Sequence, residues 1–182
     1  MILKSNDNLI KEIEKQIIKL KIGIEKLIEK DSDLSAKVEN MLTIKGVGIL
    51  TIATVIAETL GFQFVKNNKQ LASYAGYDVV QRESGTSVKG KTRISRKGNS
   101  YIRNALYFPS MVACRYNENL KEDYLRIIKK KSSKMVGQVA IQRKLLILMY
   151  TLWKNDTVYD GDYEKKKIAP QTSCEAMQDS VI

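Results

Sequence analysis

The first 40 residues carry apolar side chains at intervals that alternate between three and four, the spacing of a helix with a heptad seam. Isoleucine fills most of one seam position and leucine most of the other, which favours a parallel two-stranded coiled coil. The seam comprises Leu3, Ile10, Ile13, Ile17, Leu20, Ile24, Leu27 and Leu34. Ile18, Ile22 and Ile28 widen the stripe, so an antiparallel helix packed on its own domain is the alternative. We predict one long helix over residues 1–40, with residues 3–34 joining copies into a homodimer or higher homo-oligomer.

A different pattern occupies residues 42–60. A short apolar helix end, the turn Gly46-Val47-Gly48 and an apolar helix to about Leu60 are typical of a helix-hairpin-helix. The uncovered backbone N–H groups of such a turn, the positive end of the second helix and Lys45 would form a cradle for phosphate. These contacts would read the DNA backbone rather than its base sequence. A plain tight turn between two helices is the alternative.

The rest of the chain alternates between short helical patterns and one long irregular stretch. A short helix over residues 69–76 closes at Gly76, and residues 78–99 have no helical period, which predicts a long loop or loose hairpin. Further helices are predicted from Asn99 or Ser100, with a kink or break at Pro109, and over residues 119–131 and about 135–153.

These elements predict a mainly α fold in three parts. A coiled-coil-like helix over residues 1–40 precedes a helical domain over residues 41–155, and residues 156–182 form a frayed or disordered tail. The helical domain would contain the helix-hairpin-helix and the long basic loop or small hairpin.

The amino-acid composition limits which partners the chain can bind and which catalytic or metal-binding groups it can use. The net charge of +11 indicates a polyanionic partner, and the lack of histidine excludes catalysis or metal binding through imidazole. Cys114 and Cys174 have no metal-binding spacing, so we expect free thiols, with Cys114 buried as a small hydrophobe. No apolar run is long enough for a membrane helix, and the N-terminus does not resemble a signal peptide. We therefore expect no membrane partner and a cytoplasmic location, associated with the bacterial nucleoid.

The irregular stretch also holds the strongest local charge. Between residues 82 and 103 there are seven basic residues and one acidic residue, Glu83. The basic residues are Arg82, Lys89, Lys91, Arg93, Arg96, Lys97 and Arg103. Two other features are predicted to be structural: Lys129–Lys131 is expected to be a solvated helix face, and Trp153 and the helical tyrosines are expected in the core rather than stacked on bases.

Five sequence blocks follow one another in an order that resembles a known family. They are Leu42-Thr43-Ile44-x-Gly46-Val47-Gly48, Leu71 to Gly76, Glu83-Ser84-Gly85, Ile94-Ser95-x-x-Gly98-Asn99-x-x-x-Arg103 and Arg143-Lys144-Leu145. The series is similar to the C-terminal transposase domain of the IS110/IS116/IS902 insertion-sequence transposases, which are bridge-RNA-guided serine recombinases. The resemblance covers about residues 40–155, and the preceding helix resembles the family's coiled-coil linker.

The resemblance implies that Ser84 is a nucleophile that forms a covalent serine–phosphate link with DNA. A structured guide RNA would select the two DNA sites. Cationic neighbours would stabilise the developing charge; without the resemblance, Ser84-Gly85 is only a turn. The candidate nucleic-acid-binding residues are Lys45, Gly46, Gly48, Arg82, Gly85, Lys89, Lys91, Arg93, Arg96, Lys97, Asn99 and Arg103.

The chain departs from the family in two respects. Lys45 stands where the family usually has proline, and the N-terminal RuvC-like domain with its acidic residues and divalent metal, such as Mg²⁺, has no counterpart. We therefore expect no cofactor on this chain, and the chain to be a fragment, a truncated product or one partner of a separate acidic domain. Alone, it is expected to bind nucleic acid without recombining it. The competing hypotheses are a non-enzymatic DNA- or RNA-binding module and a coiled-coil scaffold with a solvated basic face.

Overall fold

The structure is a computed structural model that describes residues 2–80, 83–84, 88–89, 93–130 and 133–161, with only the backbone for residues 2–5, 83–84 and 88–89. This part of the chain contains seven helices and four two-residue strands, which confirms the predicted mainly α fold. In chain order, the elements are α1 (Ile2–Glu29), α2 (Ser32–Leu42), α3 (Ile49–Thr59), α4 (Asn68–Tyr74), β1 (Val79–Val80), β2 (Glu83–Ser84), β3 (Val88–Lys89), β4 (Arg93–Ile94), α5 (Ser100–Tyr116), α6 (Glu118–Lys129) and α7 (Lys134–Asn155).

The N-terminal region is two helices, so the prediction of one helix over residues 1–40 is wrong. Helix α1 ends at Glu29, and Asp31 caps the start of α2 by accepting hydrogen bonds from the backbone N–H groups of Asp33 and Leu34. An aspartate that satisfies these two groups from an extended conformation favours a new helix start over continuation of the old one. Because the heptad spacing continues across this joint, the sequence pattern gives no sign that one helix ends and another begins there.

The apolar seam of α1 is uncovered over most of its length. Ile13, Ile17 and Leu20 are 50%, 45% and 68% exposed, whereas Ile24 packs against the core and Ile28 is buried. The C-terminal end of α1 therefore packs on its own domain, as in the alternative, while the preceding turns present an isoleucine–leucine face to solvent.

The core forms around α7, which packs against α2, α4, α5 and α6. Ile141, Leu145, Leu146 and Met149 of α7 are fully buried, with 0% exposure. Helices α3 and α5 pack beside each other and run antiparallel, as three contacts along their length show. Asn99, which caps α5, bonds to Glu58 near the end of α3, Thr51 bonds to the Ala105 carbonyl, and Gly46, just before α3, lies against Val112.

Helix α5 runs through Pro109 without ending, so the predicted break is absent. Pro109 is buried, and Leu106 and Ala113 on either side of it are 0% exposed. Packing of these neighbours holds the helix despite the missing N–H of proline. None of the described helices is long and apolar enough to cross a bilayer.

The chain after α7 is structured for at least six residues, contrary to the predicted tail beginning at residue 156. Asp156 accepts a hydrogen bond from Asn40, and Tyr159 bonds through its backbone to Thr43 and through its hydroxyl to Asn117. The remainder of the predicted tail, residues 162–182, lies outside the described residues.

Candidate nucleic-acid interface

The turn between α2 and α3, residues 43–48, is held from beneath by two apolar side chains. Ile44 and Val47 are buried, and the Val47 N–H donates to the Ile44 carbonyl at 3.1 Å. Lys45 and Gly48 are exposed. This helix–turn–helix is compatible with the predicted hairpin, and its cation and second glycine face outward.

The two glycines of this turn are in different surroundings. Gly46 has φ +99°, and a Cβ there would lie 3.1 Å from the Ala113 backbone nitrogen and from Val112, so conformation and packing both require glycine. Gly48 has φ −107°, and a Cβ there would meet nothing within 4 Å. Neither strain nor packing explains Gly48, which leaves the start of α3 open to close approach by a ligand.

Residues 74–80 and 93–99 form the base of the long irregular stretch, where its two ends pair with each other. We call this base the neck. Three backbone hydrogen bonds join its two sides, from Asn99 to Tyr74 and from Ser95 to Asp78, both at 2.8 Å, and from Arg96 to Gly76 at 3.3 Å. Strands β1 and β4 continue the closure as an antiparallel pair, with Val79 opposite Ile94 and Val80 opposite Arg93. The loop is therefore held at both ends, and among the described residues of 78–99 the antiparallel pairing agrees with the hairpin alternative.

The neck is fixed to the helical core at two points. Tyr77 is 1% exposed and its hydroxyl donates to the buried Gln142 of α7 at 3.1 Å. Burial raises the pKa of the Tyr77 phenol well above its usual range, against the nearby positive charge of Arg103. At the second point Asn99 donates to the Glu58 carboxylate of α3 at 2.5 Å, and the Tyr74 hydroxyl donates to the Glu58 carbonyl at 2.7 Å.

Beyond the neck, strands β2 and β3 form a second antiparallel pair in which Ser84 stands opposite Val88 and Glu83 opposite Lys89. Ser84 and Lys89 thus lie on one small hairpin, which the structure describes through its backbone. Arg82, Gly85 and Lys91 lie outside the described residues. The proposed roles of these five residues stay predictions.

The remaining predicted contacts of the neck fall into two groups. Arg93, Arg96 and Lys97 are exposed, and Lys97 also lines an open cavity of about 600 Å³ beside the neck. Asn99 and Arg103 are partly buried and bonded to protein: the Asn99 side-chain oxygen caps α5 by accepting from the N–H groups of Tyr101 and Ile102. The Arg103 guanidinium donates to backbone carbonyls of the neck.

The turn and the neck lie at opposite ends of α3. Gly48 precedes the first residue of α3 and Glu58 is its last residue but one. Ten residues of helix rise about 15 Å at 1.5 Å each. Lys45 therefore lies near one end of α3, and the exposed Arg93, Arg96 and Lys97 belong to the neck at its other end.

Sequence reasoning missed the side chains that hold the neck. Glu58 is 41 residues from its partner Asn99, and no local pattern connects them. Asp78 and Ser95 are bonded side chain to side chain across the neck, and no local pattern points to them either. The two sides of the neck come from two blocks of the family resemblance, residues 71–76 and 94–103. Their joint presence in that series was the one sequence feature that could have indicated that the two segments act together.

The expected burial of aromatic side chains is only partly correct. Tyr150 of α7 is buried, and Trp153 packs against Phe62 with ring centroids 5.7 Å apart. However, Tyr74 of α4 is 47% exposed, and Tyr101 and Tyr116 of α5 are 67% and 65% exposed, so that expectation is wrong for these three residues.

Two other charged regions, Asp123 of α6 and the lysines at the end of that helix, lie outside the turn and the neck. Burial opposes ionisation of Asp123, but hydrogen bonds from Lys144 and Arg126 outweigh it and lower the pKa of this carboxyl. Lys129 and Lys130 are exposed, as predicted, and Lys131 is outside the described residues.

Cys114 is a free, half-buried thiol whose pKa burial raises to about 11, and Cys174 is outside the described residues. Within the described part of the chain, no three His, Cys, Asp or Glu side chains lie together as metal ligands would.

The sequence that forms the turn and the neck matches a known protein family. Residues 38–125 match the IS116/IS110/IS902 family of transposases, which confirms the resemblance found in the sequence. The chain is 29% identical to the pilin gene-inverting protein of Moraxella lacunata over 159 residues, which cover 85% of this chain and 48% of that protein. Identity to the protein of the same name from Moraxella bovis is 27% over 156 residues, with the same coverage. The chain thus spans about half the length of these curated relatives.

Proposed function

Because residues 38–125 match the IS116/IS110/IS902 family of transposases, we propose that this chain is the DNA-binding and serine-bearing part of a DNA recombinase. The observation that carries the proposal is the position of the match, which contains the turn, the neck and Ser84 together. The similar Moraxella proteins are named for inverting a pilin gene, a rearrangement of DNA, which supports the same reaction class.

The two exposed cationic regions are proposed to contact DNA phosphates. Lys45 and the open N–H groups at Gly48 and the start of α3 would hold one phosphate, and the cations of the neck and loop would hold others. The rise of α3 between its two ends, about 15 Å, corresponds to roughly four base steps along duplex DNA at 3.4 Å per step. Such contacts position the protein on DNA without recognising the base sequence. A guide RNA would select the sequence by base pairing.

Ser84 is proposed to carry the chemical step. Its oxygen would attack a DNA phosphorus, lose its proton and form one phosphoester bond, while one phosphoester bond of the DNA breaks and the leaving nucleoside hydroxyl takes up a proton. The number of phosphoester bonds is unchanged, so a second DNA strand can reverse the link without ATP. Six cations close to Ser84 in sequence are candidates to stabilise the charged phosphorane: Arg82, Lys89, Lys91, Arg93, Arg96 and Lys97.

The divalent metal of the family does not fit the described residues of this chain, since they bring no three metal-ligating side chains together. We propose that the metal belongs to a RuvC-like domain that acts with this chain. No step of the serine chemistry above is assigned to that metal.

The decisive test replaces Ser84 with Ala, with Ser87→Ala in the same loop as the matched control. The chain would be combined with the acidic half of a full-length relative and with end-labelled DNA, and covalent protein–DNA product would be read on a denaturing gel. Ser84→Ala should reduce the product by at least about a thousandfold, as expected for loss of a nucleophile, while DNA affinity changes less than about twofold. Ser87→Ala should leave both unchanged.

Undiminished covalent product from Ser84→Ala would refute the serine mechanism. If neither variant nor wild type forms product but binding is steeply salt-dependent, the non-enzymatic DNA- or RNA-binding module is the correct function. Binding that ignores salt would favour the scaffold with a solvated basic face.

We also propose that the exposed seam of α1 pairs with a second copy of the chain. Three seam residues, Ile10, Ile13 and Ile17, are 45% to 55% exposed and form one stripe, and an uncovered stripe of this kind is rare on a monomer. Ile17→Asp should convert the oligomer to monomer in sedimentation velocity, whereas Lys19→Asp, on an exposed position away from the seam, should not. A wild-type chain that sediments as a monomer at micromolar concentration would contradict this pairing.

A further inference from the structure

The Arg103 guanidinium lies inside the neck and is shared among four backbone carbonyls. Its Nη1 atom donates to the carbonyl oxygens of Ala75 at 2.8 Å, Gly98 at 2.9 Å and Asn99 at 3.1 Å. Its Nη2 atom donates to the Arg96 carbonyl at 3.4 Å. One side chain on α5 thus ties together residues from both sides of the neck.

Two glycines create the space that this side chain fills. Gly76 has φ +75°, and a Cβ there would stand 2.7 Å from Arg103 Nη1 and 2.8 Å from the Gly98 nitrogen. A Cβ on Gly98 would collide with the Tyr74 carbonyl oxygen and the Gly76 nitrogen. The backbones of the two sides are therefore in direct contact, and only a flat group with several donors can serve all these carbonyls at once.

We infer that Arg103 is a positioning residue that locks the neck, rather than the phosphate contact predicted from the charge of the loop. By joining residues 75 and 96–99 to α5, it fixes the direction in which the hairpin with Ser84 leaves the domain. For strand exchange this role rests on the proposed function, but the lock is a property of the neck and is testable without DNA.

The first test uses hydrogen–deuterium exchange of the free protein. The amides of Ser95, Arg96 and Asn99 close the neck, so Arg103→Lys, which keeps the charge but loses the fork, should speed their exchange at least about tenfold. Amides in the middle of α7 should keep their wild-type rates and show that the fold is intact. Unchanged exchange at all three neck amides in Arg103→Lys would overturn the inference.

The second test separates a lock from a phosphate contact through the salt dependence of duplex DNA binding. If Arg103 bound a phosphate, Arg103→Gln would reduce the log–log slope by about 0.9, and Arg103→Lys would keep the wild-type slope. A lock predicts that both variants weaken binding equally and keep the wild-type slope. Lys97→Gln, which removes an exposed cation at the edge of the neck, is the control that should lower the slope.

A slope reduced only in Arg103→Gln would overturn the lock in favour of a phosphate contact. If the wild-type chain binds no DNA, the proposed function fails, while the exchange experiment still decides whether Arg103 locks the neck. If Arg103→Gln does not fold, Arg103→Lys alone decides, since only the lock predicts that it opens the neck.

Discussion

The turn of residues 43–48 and the neck each contain two glycines and lie beside a cation that was predicted to contact phosphate, Lys45 at the turn and Arg103 at the neck, yet the structure uses them differently. In the turn, a Cβ at Gly48 would meet nothing, and Lys45 is exposed. In the neck, the space beside Gly76 and Gly98 is filled by backbone and by Arg103. A glycine that faces protein reports close packing, and a glycine that faces open space is the better candidate for a ligand contact.

The largest expected effect is on the neck. Gly98→Ala forces a Cβ into the backbone of residues 74–76, which cannot move aside as a flexible side chain could. We expect a loss of about 3 kcal/mol in the free energy of unfolding, measured by urea denaturation. Gly23→Ala is the control, because a Cβ there meets nothing within 4 Å and alanine favours the helix. A stable Gly98→Ala protein with an intact neck would refute the close approach of the two backbones.

The buried anchor of the neck should have the next largest effect. Tyr77→Phe leaves Gln142 without its hydroxyl partner and should cost about 1–2 kcal/mol. Because burial raises the pKa of the phenol in the folded state, its contribution is fully present below the unfolded pKa of about 10 and is lost as the pH rises above it. Stability profiles of wild type and Tyr77→Phe should therefore converge at high pH, and parallel profiles across the range in which the phenol titrates would contradict this.

At the turn, stability and DNA affinity should change in opposite directions. Gly48→Ser gives α3 an N-cap hydroxyl and should stabilise the fold by about 0.3 kcal/mol. The same side chain occupies the space proposed for a phosphate, so duplex affinity should fall about fivefold, or about 1 kcal/mol. Thermal denaturation and fluorescence anisotropy measure the two quantities. An affinity equal to that of wild type would show that no phosphate approaches Gly48.

The smallest expected effect belongs to Lys45. Lys45→Gln removes one exposed charge without a packing role, so the unfolding free energy should stay within about 0.5 kcal/mol. The log–log slope of duplex binding against salt should fall by about 0.9. The same substitution at Lys19, on the polar side of α1, provides the comparison. An equal slope for wild type and Lys45→Gln would remove the turn from the interface.

Much of the fold followed from local pattern, because periodicity and capping act over a few residues. The apolar pattern placed the end of α3 at about Leu60, Asn99 or Ser100 marked the start of α5, and the absence of helical period marked the loop. The joint at Asp31 was not predicted because the heptad spacing continues across it. The break that was one alternative at Pro109 is absent because its buried neighbours outweigh the intrinsic preference of proline.

The candidate site was less accessible to sequence reasoning. Charge counting grouped Arg103 with Arg93, Arg96 and Lys97, although the Arg103 side chain is bonded to the neck carbonyls and the other three are exposed. Glu58, Asp78 and Tyr77 act through partners 41, 17 and 65 residues away, and such pairs appear only when the chain is folded.

The length of helix α3 fixes the spacing between the turn and the neck. Its length cannot change gradually, because one inserted residue would lengthen it by about 1.5 Å and rotate one end relative to the other by about 100°. The turn with Lys45 and the neck with Lys97 would then be rotated relative to each other by that angle. Only insertions close to a whole turn, about three or four residues, would keep the present orientation of the two ends, so relatives that bind DNA through both ends should conserve the length of this helix while its exposed residues vary.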